Sequence, residues 1–175
     1  MPVTVLVLYD SHGPLMESLA SAVLEGIAQV NGAVSLKKHL RQARREDLLA
    51  ASGIILGSPN WSGITGSLKS WLDDQGDLWE EGALAGRVGA AFAVGRGRHS
   101  GLEFTLLSLL HWMLACGMVV VGLPWSPTMR VSGSYYGATA AGEVTPTDLE
   151  QARHLGQRVG SLAVRLSSGI PPATP

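Results

Sequence analysis

Three short stretches of this chain bring together residue types suited to holding a flat, charged ligand. Gly57-Ser58-Pro59-Asn60-Trp61-Ser62-Gly63-Ile64-Thr65-Gly66 follows an apolar run and precedes a helical pattern. Folding alone would be served by less, because such loops usually run about 2–6 residues. Trp61 offers a flat face to an aromatic cofactor. Asp10-Ser11-His12-Gly13-Pro14-Leu15 stands between a strand and a helix, where backbone N–H groups and the helix dipole favour an anion such as a phosphate. Gly13 permits close approach and Ser11 supplies a hydroxyl. Asp10 adds like charge, and Pro14 removes a donor while fitting a first helical turn. The same six residues also suit an ordinary strand-to-helix turn. Gly95-Arg96-Gly97-Arg98-His99-Ser100-Gly101 carries three glycines and two arginines, and reads either as a ligand loop or as a solvated one. Its place at the same sheet edge as the other two favours the ligand.

Other reactive types carry weaker signals. His12 and His99 could meet at the mouth of such a site as proton donors, but two histidines without a third ligand make a poor metal site, so no metal is expected. His111 reads as a partly buried helix residue, Cys116 as a small core residue, and Asp73-Asp74 as a solvated helix end. Trp71, Trp79, Trp112 and Trp125 read as packing or interface anchors rather than cofactor stackers.

The elements that position these loops alternate. Val3 to Tyr9 is apolar almost throughout, as a strand buried on both faces should be. Leu15, Leu19, Ala22, Val23, Ile27 and Val30 recur at helical spacing. Val34 to Leu40 predicts a half-buried edge strand, Ala43 to Leu49 a short charged helix, and Gly53 to Leu56 a third strand. A helix begins at Ser67, a fourth strand spans Arg87 to Val94, and Phe104, Leu107, Leu110, His111 and Leu114 form the expected buried stripe of a further helix. Val119 to Val121 is a fifth strand. A long Gly- and Ser-rich connection over 123–146 leads to the last helix, with Thr145 as cap, Pro146 in the first turn and Asp148 at the third helical position. That helix is expected to end near Leu166, leaving residues 1–166 as one domain and Ser167 to Pro175 as a flexible tail.

Five strands alternating with helices define an α/β class: a parallel sheet between two helical layers, most simply in the order 2-1-3-4-5, whose ligand crevice opens at the switch point between strands 1 and 3. With 175 residues the chain is large enough for one full core. A net charge of −1 provides no field for nucleic acid or an anionic membrane. One cysteine excludes an internal disulfide and a thiolate metal cage. No apolar run reaches the roughly 18 residues of a membrane span. Met1-Pro2-Val3-Thr4 leads straight into a strand with no basic segment before an apolar one, so the expected compartment is the cytoplasm.

The chain resembles the flavodoxin-like FMN proteins, and among them the tryptophan-repressor-binding-protein type of NAD(P)H:quinone oxidoreductase. The likeness rests on Val5-Leu6-Val7-Leu8-Tyr9-Asp10-Ser11 with Glu17-Ser18-Leu19-Ala20, on Gly57-Ser58-Pro59 with Gly66-Ser67-Leu68-Lys69, and on Gly76-Asp77-Leu78-Trp79. Gly82 to Arg87, Gly117 to Val120 and Tyr136-Gly137-Ala138 extend it in collinear order over nearly the whole chain. The resemblance implies a flavodoxin-like three-layer sandwich that binds FMN without a covalent bond. The phosphate would sit on Ser11, His12, Gly13, Pro14 and Leu15, with Ser58 in the neighbouring segment. The ring would lie between Pro59, Asn60, Trp61, Ser62 and Gly63 on one side and Gly95, Arg96 and Gly97 on the other, with an aromatic such as Tyr136 nearby. It further implies NAD(P)H as donor, a quinone or similar small acceptor, and a homodimer or homotetramer. No side chain is then an obligatory acid or base. Arg96, Arg98 and His99 are expected to tune the flavin or to grip the donor. The pattern departs from the family at Pro14, Leu15 and Met16, and in carrying Arg96 and Arg98. Two rivals follow: a one-electron carrier, and a binding protein that kept the fold and lost FMN. Near-balanced charge, 13 Lys+Arg against 14 Asp+Glu, shows no acidic docking face of the kind carriers commonly use.

Overall fold

The computed structural model describes residues 1–169. Its elements are β1 (Val3–Tyr9), α1 (Pro14–Ala28), β2 (Ala33–His39), α2 (Arg45–Ala50), β3 (Gly53–Pro59), α3 (Gly66–Asp73), α4 (Gly76–Glu80), β4 (Val88–Gly95), α5 (Leu102–Ala115), β5 (Val119–Val120), β6 (Ala138–Ala141) and α6 (Pro146–Gly169). All named strands pair in parallel, in the order β2-β1-β3-β4-β5, as the alternation predicts. Two cores flank the sheet. Val5, Val7, Val23, Ile27, Leu155 and Val159 pack with α1 and α6 on one face. Leu6, Leu8, Leu56, Leu68, Leu72, Leu106 and Met113 pack with α3 and α5 on the other. Successive side chains enter one core and then the other, so β1 and β3 are buried almost throughout and read as continuous apolar runs. The edge strand β2 is half-buried, as expected.

The fifth position differs from the expected single strand. β5 covers Val88 and Gly89 of β4, while β6 covers Phe92 to Gly95 further along the same edge. Residues 121–137 loop out between the two pieces, with a 3-10 turn at Pro127–Arg130. The long connection is thus mostly an insertion within one strand position. Ala138-Thr139-Ala140-Ala141 escaped notice because small residues carry little strand propensity and Gly-rich neighbours mask the run.

Four further features differ from the sequence expectation. β3 continues through Gly57, Ser58 and Pro59, pairing with Phe92, Ala93 and Val94, so the middle loop starts at Asn60. α4 was not anticipated, being only five residues long. The expected stripe on α5 is largely its outer face: Phe104 is 74% exposed, and Leu107, His111 and Leu114 are also exposed, whereas Leu102, Leu106, Leu109, Leu110 and Met113 meet the sheet. Because apolar residues surround this helix, periodicity could not choose between its faces. α6 runs to Gly169, past the expected end near Leu166, and residues 170–175 of the anticipated tail lie outside the described residues. Its start is as read: Thr145 Oγ1 accepts from the Asp148 N–H at 3.2 Å, and Asp148 Oδ2 accepts from the Thr145 N–H at 2.8 Å. Among the described residues no helix is long and apolar enough to cross a membrane.

Candidate functional site

The carboxyl ends of β1, β3 and β4 bring the three loops around one cavity of about 530 Å³. That size falls within the ordinary range of small-molecule pockets. Ten of the expected contact residues line it: His12, Gly13, Pro14, Leu15, Pro59, Asn60, Trp61, Ser62, Gly95 and Arg96. Met16, Val94, Ser100 and Gly142 complete the wall. Gly142 belongs to the turn after β6, and its N–H donates to Gly95 O at 2.9 Å.

The first loop delivers an unblocked helix start. Gly13 precedes α1 with an extended backbone (φ 161°, ψ −179°), and no side chain caps the helix. A Cβ built on Gly13 would meet nothing within 4 Å. Pro14 gives up its donor, but as the first helical residue its N–H would have had no intrahelical partner. Ser11 shapes the turn, its Oγ donating to Gly13 O at 3.3 Å.

Two carboxylates stand close to this loop, and both are engaged. Asp10, only 5% exposed, accepts from Thr65 Oγ1 and Ser67 Oγ, each at 2.7 Å, and lies 3.4 Å from His12 Nε2. Burial pushes its pKa up, but the Ser67 and Thr65 hydroxyls and His12 outweigh that and hold it below the ordinary carboxylate value. Glu17 accepts from Tyr9 Oη at 2.7 Å and from Lys37 Nζ at 3.1 Å. Its burial likewise pushes upward, and Tyr9, Lys37 and Ser11 bring it below the usual range. Thr65 and Ser67 were not singled out from sequence; the signal was the hydroxyl spacing at the start of a helix. Their effect on stability has a definite sign. A depressed carboxylate stabilises the fold fully above its unfolded pKa of about 4, and that contribution disappears as pH falls through the folded value. Asp10→Asn is therefore expected to cost about 2 kcal/mol at pH 7. It should also lose less stability than the native chain between about pH 5 and pH 3. Urea unfolding across that range measures both, and parallel acid limbs would refute the assignment to Asp10.

The second loop is a tight reversal. Asn60 anchors it, its Oδ1 accepting from Gly63 N at 3.2 Å and Thr105 Oγ1 at 3.0 Å while its Nδ2 donates to Ser100 O at 2.6 Å. One side chain thus ties the second loop to the third and to α5. Ser62 takes φ 61°, the one positive φ among described non-glycine residues, and sits beside Trp61. Such strain persists where surrounding structure over-determines it. Trp61 is 67% exposed, with its ring edge-on to His12 at 6.3 Å between centroids.

Five expected contacts lie outside the cavity lining: Ser11, Ser58, Gly63, Gly97 and Tyr136. Ser58 is fully buried and pins the second loop, accepting from Thr65 N at 3.1 Å. Gly63 closes the reversal, its carbonyl accepting from Trp61 N at 2.9 Å. Gly97 carries the turn of the third loop, bonded by Ser100. Tyr136 sits with Tyr135 at the tip of a turn closed by two 3.0 Å bonds between Ser134 and Gly137, away from this cavity. Arg98 and His99 face a different recess from Arg96. No group of three metal-ligating side chains occurs among the described residues.

This architecture is that of the flavodoxin-like proteins. A flavodoxin, WrbA-like protein from Agrobacterium tumefaciens matches it with a TM-score of 0.74 and 23% identity, over 93% of this chain and 98% of that one. A flavodoxin from the domain Archaea matches with 0.72 and 20%, over 92% and 99%. The model of the NADPH-dependent FMN reductase family matches residues 18–128. The NAD(P)H dehydrogenase (quinone) of Archaeoglobus fulgidus is 39% identical over 154 residues, covering 86% of this chain and 79% of that protein. That of Azorhizobium caulinodans is 37% identical over 194 residues, covering 93% and 98%. The chain belongs to the NADPH-dependent FMN reductase family.

Proposed function

We propose that this chain is an FMN-dependent oxidoreductase that takes electrons from NAD(P)H and delivers them to a quinone or a similar small acceptor. The observation that carries this reading is the convergence of an uncapped helix start, an exposed tryptophan and an arginine on one cavity. The residues fit FMN. The space over Gly13 is open beside backbone N–H groups, and the carboxylates of Asp10 and Glu17, which accept from Thr65, Ser67, Tyr9 and Lys37, are not among the residues lining the cavity. Ser11 to Leu15 would hold the phosphate, while Pro59 to Ser62 and Gly95 to Arg96 would flank the ring. Bound there, FMN supplies acceptance of hydride and onward electron transfer. The chain's residues would orient it, and the positive charge of Arg96, which lines the cavity, would favour an anionic reduced form.

Two features extend the reading beyond the site. The outer face of α5, with Phe104, Leu107 and Leu114, is an unpartnered apolar surface that suits self-association into a homodimer or homotetramer. The near-neutral charge and the lack of a spanning helix among the described residues suit a cytoplasmic enzyme acting on small molecules. The deciding experiment is the visible spectrum of purified protein with and without excess FMN, followed by addition of NADPH and then a quinone. Flavin absorbance that bleaches with NADPH and recovers with quinone is the expected result. A colourless protein that leaves the spectrum of added FMN unchanged would overturn the proposal in favour of a fold that has lost its cofactor.

A further inference from the structure

A second cavity, of about 450 Å³, opens on the far side of the third loop. Loop residues divide between the two spaces: Arg96 and Ser100 line the first, while Arg98, His99 and Gly101 line the second. The turn after β6 divides likewise, with Gly142 on one side and Ala141 on the other. The two cavities therefore share the third loop and the turn after β6 as walls.

Three basic side chains edge the second recess: Arg98 and His99 from the loop, and Arg130 from the insertion. Neither arginine forms an ion pair among the described residues. Both are nonetheless held in place. Arg98 Nη1 donates to Val131 O, leaving its other N–H groups free, and the Arg130 guanidinium lies 5.7 Å from the centroid of the Trp125 ring. The carboxylate in the recess, Glu103, accepts from Ser134 Oγ at 2.7 Å and forms an ion pair with neither arginine. Positioned guanidinium groups without acid partners, around a polar concavity, suit a phosphate ester held by charge-assisted bonds.

Taking the first cavity as the flavin site, we propose that this recess receives the 2′-phosphorylated adenosine end of NADPH, so that Arg98 and Arg130 select NADPH over NADH. A dinucleotide spanning the two cavities would have its nicotinamide on the Trp61 side and its adenosine end on the side of the arginines. NADH would bring only a neutral hydroxyl to the same guanidinium groups. This inference rests on the proposed redox function but is read out separately from it.

The probe is adenosine 2′,5′-bisphosphate, titrated by calorimetry into the protein with FMN in excess, against 5′-AMP as control. The bisphosphate should bind about tenfold tighter or more, one charge-assisted contact being worth at least that factor. The double variant Arg98→Ala/Arg130→Ala should lose most of that difference. Its ratio of kcat/KM for NADPH over NADH should fall by about tenfold or more, through the KM for NADPH. The single variant Arg130→Gln, which leaves the Arg98 contact to the insertion intact, should show part of both effects and covers the case in which the double variant does not fold. Equal affinity for the two nucleotides, or parallel losses for NADPH and NADH, would overturn this assignment while leaving quinone reduction in place. Tight, arginine-dependent bisphosphate binding by a protein that does not reduce quinones would support the recess and overturn the redox reading instead.

Discussion

Gly13→Glu is expected to weaken FMN binding by about two orders of magnitude while leaving the melting temperature nearly unchanged. The two effects separate because the position is open: the backbone is extended, and an added Cβ meets nothing within 4 Å. The substitution keeps the Gly13 N–H and the start of α1, so the donors remain. What changes is charge. A new carboxylate would stand at the space proposed for the phosphate, and two unit charges about 4 Å apart at a protein surface repel by roughly 4 kcal/mol before salt screening. Half of that survives as about a 30-fold loss, and the dianionic character of the phosphate raises it further. Gly13→Ala is the control, adding the same Cβ without the charge, and should bind FMN within a few-fold of the native chain. Quenching of FMN fluorescence measures affinity, and thermal unfolding measures the fold. A Glu variant that binds FMN as tightly as the Ala variant would place the anion somewhere other than the start of α1.

How much of this site could be read from the chain depends on what each signal encodes. The three loops were legible because they interrupt strong periodic runs: Val5-Leu6-Val7-Leu8 and Ile54-Ile55-Leu56 admit only buried parallel strands, and whatever follows them must lie at one sheet edge. The capping pair Thr145 and Asp148 was legible because its chemistry is local. Contacts made over long sequence separation were not. Asp10 with Thr65 and Ser67, and Asn60 with Ser100 and Thr105, depend on register between strands that composition does not reveal. The facing of α5 was misread because Phe104, Leu107 and Leu114 are as apolar as Leu106 and Leu109. The family resemblance implies an aromatic such as Tyr136 near the cofactor. The interruption of the fifth strand position, invisible as a pattern, instead carries it to the tip of the Ser134–Gly137 turn.

Gly156→Ala should destabilise the protein by about 3–5 kcal/mol, although the same change in an exposed helix would stabilise it by about 1. The sign is set by how α1 meets α6. A Cβ on Gly156 would lie 2.1 Å from Val23 O, and one on Gly26 would lie 2.0 Å from Arg153 O. At this crossing backbone packs on backbone, with a glycine from each helix against a carbonyl of the other. A methyl group cannot rotate away from a carbonyl, so the helices must part, and Val23, Ile27, Leu155 and Val159 lose their close packing with them. The effect reaches function through position: α1 begins at the proposed phosphate loop, and a displaced helix carries Gly13 and Leu15 with it. The variant should therefore show both a lower urea midpoint and weaker FMN binding, whereas Gly13→Glu shows the second alone. If Gly156→Ala instead raises the midpoint by the increment of helix propensity, the two helices do not touch at these glycines, and the rigid link from the core to the proposed flavin site is absent.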